Sequence, residues 1–279
     1  MLASDAFRAT QIHGDYIDTP QYLALARGAL RMMKVDAIDL LVVGLPVAVF
    51  VDKKARLEKL MTGRHDVGAG KTVLVRKALA MAQPNGALVD YATQHNLVEA
   101  MQDEHSLVID PGSRTFDWLV ARGMKLAHKQ SYSVDRGVSN ILQLIADDVS
   151  REIGAPYTNL DSIDHALRTA KSLTVYQRTY NIGRMRPLVD VIAKEAVAVM
   201  LQRVGAAYNV QHVILVGGGA FLFRKAVKEA FSTHRILEVK DPMFANVRGY
   251  QIAGTNYAHT VLGAPGRPTH PAPAQGEGA

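Results

Sequence analysis

The chain has 279 residues, 48% of them hydrophobic and 21% charged, a balance that argues against global disorder. It contains no cysteine, which excludes a disulfide scaffold, a thiolate zinc site and a cysteine nucleophile. The net charge of +6 is diffuse over this length and does not argue for direct nucleic-acid binding.

Residues 1–8 show no basic stretch leading into an apolar core, so no signal peptide is expected. Residues 39–44 read as a buried strand that Pro46 ends. The apolar run 40–51 is too short to cross a bilayer. Asp52 is placed to cap a helix to about Met61. The stretch from Asp66 through Gly68, Gly70 and Lys71 to Thr72 resembles a phosphate loop. His65 stands where a Walker sequence needs glycine, however, and the stretch reads as a glycine-rich hairpin turn. A strand over 72–82 and a helix over 86–101 follow. Residues 106–110 form a short apolar strand ending in a carboxylate, and Pro111, Gly112 and Ser113 a tight turn. Two more strands, 115–121 and 124–134, precede a helix over 138–153 that Gly154 caps. Pro187 opens a helix to about Tyr208. A buried strand, 213–216, runs into Gly217, Gly218 and Gly219, then a helix over 220–231. A last helix spans 244–262, and the proline- and glycine-rich stretch 264–279 reads as disordered. The alternation implies an α/β fold with mixed sheets, because two strands are hairpin-linked.

Two segments carry chemistry. The first is the strand–turn–strand around Asp110: Gly112 permits close backbone approach, and the turn amides with Ser113, Arg114 and Thr115 could cradle a phosphate while Asp110 serves magnesium. The second is the glycine loop 217–219 with Ala220, which opens a helix N-terminus toward negative charge. Leu222 breaks the dinucleotide fingerprint, so a Rossmann reading is rejected. The stretch 165–189 holds five basic residues, Arg168, Lys171, Arg178, Arg184 and Arg186, and no acidic one; a solvated basic face is the simpler reading, contact with nucleotide, a protomer or DNA the other. Phe116 and Trp118 alternate on a strand and read as core. No histidine pattern suggests a metal site.

Asp110, Gly112 and Thr115, followed by Gly217–Ala220, resemble in order the second phosphate loop and the adenosine loop of the actin-like ATPase superfamily. Gln83-Pro84 before Gly86 resembles its water-orienting position, and Gly44-Leu45-Pro46 is similar to plasmid-segregation actins of the ParM/StbA type. Asp18, Thr19, Pro20 and Tyr22, with Gln83-Pro84, resemble the PRTRC-system protein D branch. The resemblance implies a ribonuclease-H-like, two-lobed fold: 1–105 completed by the helix 244–262, then 106–243. It implies ATP or ADP with magnesium, water attack on the γ-phosphate, nucleotide-dependent filaments, a DNA-binding adaptor partner and a cytoplasmic location. Gln83 and Asp110 would be catalytic, with Asp110 holding the metal. Gly112, Ser113, Arg114 and Thr115 would bind the phosphates, and Gly217, Gly218, Gly219 and Ala220 the adenosine. The family's first phosphate loop is not found in 1–39, so an N-terminally truncated copy is expected. A small-molecule kinase and a non-hydrolysing scaffold are the rival readings.

Overall fold

The computed structural model describes residues 16–205, 207–261 and 263. The low-complexity stretch 264–279 lies outside them. The N-terminal part holds helix α1 (Pro20–Met32), strands β1 (Ala37–Ile38) and β2 (Leu41–Leu45), helix α2 (Val47–Met61), strands β3 (Gly63–Gly68), β4 (Lys71–Val75) and β5 (Ala78–Ala82), and helix α3 (Gln83–Gln94). Strands β6 (His105–Pro111), β7 (Phe116–Arg122), β8 (Lys125–Leu126) and β9 (Tyr132–Val134) come next. Then follow helices α4 (Val138–Ile153) and α5 (Leu160–Thr169), strands β10 (Leu173–Val175) and β11 (Arg178–Tyr180), and helix α6 (Arg186–Val204). The chain continues through β12 (Val210–Leu215), α7 (Ala220–Ala230), β13 (Ile236–Glu238) and α8 (Ala245–Val261).

The main sheet runs β13-β12-β6-β7, with β8 and β9 both paired to the far edge of β7. Strands β13, β12 and β6 are parallel and β7 is antiparallel, so the sheet is mixed. Strand β6 is apolar along its middle because both its faces are covered. Leu107 and Ile109 point into one core with Phe116, Trp118, Ile141, Ala196 and Phe223, whereas Val108 joins Leu119, Ile214, Ala87 and Leu88 in another. Trp118 is fully buried, its indole N–H donating to the Gln130 carbonyl. A third core gathers Leu30, Leu57, Met61, Val73 and Val75 from α1, α2 and β4.

Two small sheets complete the N-terminal part: β1-β4-β3, and the parallel pair β2-β5. The outer edge of β5 is closed by α2. The Ala80 N–H donates to the Glu58 carboxylate (2.9 Å) and the Ala78 N–H to the Thr62 hydroxyl (3.1 Å).

Several boundaries differ from expectation. Helix α2 begins at Val47, and Asp52 lies exposed in its second turn. Its first amides are satisfied from across the molecule: the Val47 N–H donates to Asp117 Oδ1 and the Ala48 N–H to Ser133 Oγ, both at 3.1 Å. No local cap was therefore needed. The strand expected over 72–82 breaks at Arg76 and Lys77 into β4 and β5, which belong to different sheets. Helix α3 starts at Gln83, with Pro84 in its first turn, and stops near the left-handed Asn96. The strand expected over 124–134 is two short ones, and helices α1 and α5 were not anticipated. The expected glycine-rich turn is the tip of hairpin β3–β4, where Asp66 accepts from its own Gly68 N–H. Helix α4 and its Gly154 cap, at φ 73°, match expectation.

Candidate functional site

Strand β6 carries Asp110 to a tight turn. The Gly112 N–H donates to the Thr115 carbonyl at 2.8 Å. The carbonyls of Gly112, Ser113 and Arg114 accept from the Val138, Ser139 and Gly137 N–H groups at 2.7–3.1 Å, so the turn caps helix α4. A side chain at Gly137 would overlap the Arg114 carbonyl, so only glycine fits. Sequence reasoning missed this residue; a glycine directly before an amphipathic helix was the available signal.

Strand β12 delivers the glycine loop to the same place. The Gly219 N–H donates to the Pro111 carbonyl (2.8 Å). A Cβ on Gly217 (φ 83°) would overlap Asp110 Oδ1, and one on Gly219 would meet Pro111 and Val138. Gly217 and Gly219 thus let the two motifs interlock, and Ala220 opens α7 behind them, buried. Gly218 is half-buried beside the Met243 side chain, and its carbonyl accepts from Arg168 (3.0 Å). The Arg168 guanidinium also lies 4.9 Å from the Phe221 ring and pairs with Asp164. One residue of the basic stretch therefore sits on the glycine loop, while Lys171, Arg178, Arg184 and Arg186 are exposed. Ser113 is exposed, and the Arg114 side chain turns toward Asp135.

Two carboxylates are buried together here, Asp110 (6% exposed) and Asp117 (2%). Asp117 accepts from the Thr115 and Ser133 hydroxyls and from the Val47 N–H. Burial, and then the nearby Asp117 charge, push the Asp110 carboxyl up to about 7; a hydrogen bond from Asn246 opposes this. Burial likewise raises Asp117, opposed by its three donors. Asp117 had no assigned role in the sequence reading, although a carboxylate between Phe116 and Trp118 is an anomaly in an apolar strand.

Helix α8 supplies two more residues that only the fold reveals. Asn246 Nδ2 donates to Asp110 Oδ2 (2.6 Å), while its Oδ1 accepts from the Ala87 N–H (3.1 Å). Tyr250, one turn on, donates to the Gln83 carbonyl at 3.5 Å. Burial holds the Tyr250 phenol well above its ordinary range, helped by the Asp110 and Asp117 charges. A Cβ on Gly44 would meet Tyr250 and Gln83 together. Tyr250 thus touches Gln83 while lying within the field of the two aspartates.

Residues 1–86 match the family described as actin-like proteins, N-terminal domain. Residues 108–229 match that of the archaeal actin homologue MreB-like, C-terminal. The chain belongs to the actin-like proteins. Among solved structures, the archaeal actin homologue Ta0583 superposes with a TM-score of 0.74 at 21% identity, over 88% of this chain and 80% of that one. The ParM filament protein of Clostridium botulinum does so at 0.73 and 14%, over 90% and 77%. The pSK41 ParM protein gives 0.63 and 22%, over 91% and 75%. No curated protein sequence matches the chain. In this actin-like chain the two segments singled out in the sequence, about a hundred residues apart, are brought into contact through Asp110 and Gly217. Among the described residues, no helix is long and apolar enough to cross a membrane.

Proposed function

We propose that this actin-like protein binds a magnesium-complexed adenine nucleotide and forms nucleotide-dependent filaments in plasmid or replicon segregation. The observation that carries the reading is the interlocking of Asp110 and its turn with the glycine loop, with Gly217 and Gly219 standing where the loop meets Asp110 and Pro111. Ta0583 has been crystallised with ADP, and the Clostridium botulinum relative as a filament, which supports the reading.

Magnesium suits the residues present. Two buried carboxylates repel one another, and a divalent cation would offset that repulsion. Among the described residues, no group of three or more His, Asp or Glu could hold a metal. Asp110 would therefore share the ion with phosphate oxygens and water. When bound, the ion would neutralise charge on the phosphates. Gly112, Ser113, Arg114 and Thr115 would hold the phosphates. Gly217, Gly218, Gly219 and Ala220 would line the adenosine, with Arg168 beside them. Gln83 would orient the attacking water. The nucleotide would lie between two lobes, 1–105 with 244–262 and 106–243, in the cytoplasm, and a DNA-binding adaptor would join the filament to its cargo.

Calorimetric titration of ATP with magnesium, with light scattering on the same samples, tests this. Wild type should bind and assemble, and Asp110→Ala should lose magnesium-dependent binding while keeping its helical circular dichroism. Equal binding by the variant would remove Asp110 from the site.

A further inference from the structure

The contact between Asn246 and Asp110 is not explained by nucleotide binding, because it covers the carboxylate that a cation would need. One Asp110 oxygen lies against Gly217 and the other takes the Asn246 amide, leaving the side chain almost fully enclosed. The other end of the Asn246 amide is held by the Ala87 N–H, in the first turns of the helix that begins with Gln83. Asn246 is thus a two-ended tie. It satisfies a buried carboxylate on β6 and a backbone donor on α3 from a third element, α8. The backbone around it is crowded: a Cβ at Gly86 would meet the Asn246 carbonyl oxygen and the Tyr250 ring. The amide cannot yield its place without movement of its own side chain or of the first turn of α8.

We infer that Asn246 is a latch that competes with the incoming cation for Asp110 and, on release, frees the N-terminal turns of α3 that carry Gln83. This rests on the nucleotide-binding reading for the identity of the ligand, but not for the existence of the competition. A cation reaching Asp110 displaces the Asn246 Nδ2–H. Swinging away breaks the bond to Ala87 as well, because both bonds belong to one rigid planar amide. Occupancy of the carboxylate is thereby transmitted to the helix that bears the water-orienting candidate.

Three measurements on the full chain test the latch. The first titrates manganese alone by calorimetry into wild type and Asn246→Ala. Removing a hydrogen bond to a charged group should tighten binding by roughly ten-fold. A double variant that also carries Asp110→Asn should abolish the gain. The second repeats the titration with magnesium and ADP, where the same tightening is expected. The third follows amide hydrogen exchange in wild type, where saturating magnesium–ADP should speed exchange at Ala87 while the glycine loop becomes more protected. If Asn246→Ala does not fold, Asn246→Ser, whose hydroxyl is too short to span both partners, replaces it. Unchanged or weaker manganese binding in the variant would overturn the latch, as would an Ala87 amide that gains protection with ligand. Tighter manganese binding without any ADP binding would leave the latch standing and overturn the nucleotide reading instead.

Discussion

At the level of single residues, the buried Asp110–Asp117 pair dominates the electrostatics. The folded Asp110 keeps its proton up to about pH 7, whereas an unfolded aspartate releases it near its ordinary value of 3.8. Between these limits the native state holds more protons than the unfolded chain, so stability falls as pH rises. Urea unfolding of the ligand-free protein between pH 5 and pH 7 should show stability declining by up to about 1.4 kcal/mol per pH unit. Asp110→Asn, which cannot ionise, should flatten the slope. A slope unchanged in that variant would assign the titration to another group. Asp117 behaves differently because three donors converge on it. Asp117→Ala should cost about 1–3 kcal/mol, the penalty for orphaning buried donors, read as a shift in the same urea midpoint.

At the level of elements, the decisive contact is that of α8 along α3. A Cβ on Gly249 would overlap the Gly86 carbonyl oxygen, so the two helices meet backbone to backbone. Gly249→Ala should therefore destabilise by about 1–3 kcal/mol or more, the cost of forcing extra volume into a packed contact. Gly28 in α1 is the control: a Cβ there meets nothing within 4 Å. Gly28→Ala should stabilise by about 0.5–1 kcal/mol through helix propensity alone. Thermal unfolding of both variants checks the contrast, and destabilisation at both positions would contradict the packing description. The start of α2 illustrates the same dependence on partners. The first amides of this helix take their protein partners, Asp117 and Ser133, from β7 and β9.

For the whole molecule, the relation between binding and turnover separates the proposed roles. If Gln83 orients the attacking water, Gln83→Ala should lower the hydrolysis rate at saturating ATP by about 10²-fold or more while leaving nucleotide affinity close to wild type. Single-turnover hydrolysis and equilibrium binding measure the two quantities separately. An equal loss in both would make Gln83 a structural residue at the head of α3. The experiment bears on the entire fold, because Gln83 belongs to the N-terminal part and Asp110 to the main sheet. The two are linked by the packing of Ala87 and Leu88 against Val108 and Leu119, and by the α8 residues Tyr250 and Asn246.

The local chemistry of the chain was enough to determine the strand–turn–strand at Asp110, the glycine loop, helix α4 with its Gly154 cap and the mixed α/β character. Each of these depends on residues close in sequence: an apolar run, a turn glycine, a left-handed cap. The tertiary structure alone decided where α2 begins, that 72–82 divides between two sheets, why Gly137 and Gly249 lack side chains, and which group meets Asp110. These features rest on partners distant in sequence, such as Asp117 for Val47 and Asn246 for Ala87. A buried donor or carboxylate must find a partner somewhere, but nothing in its own neighbourhood names that partner until the chain has folded.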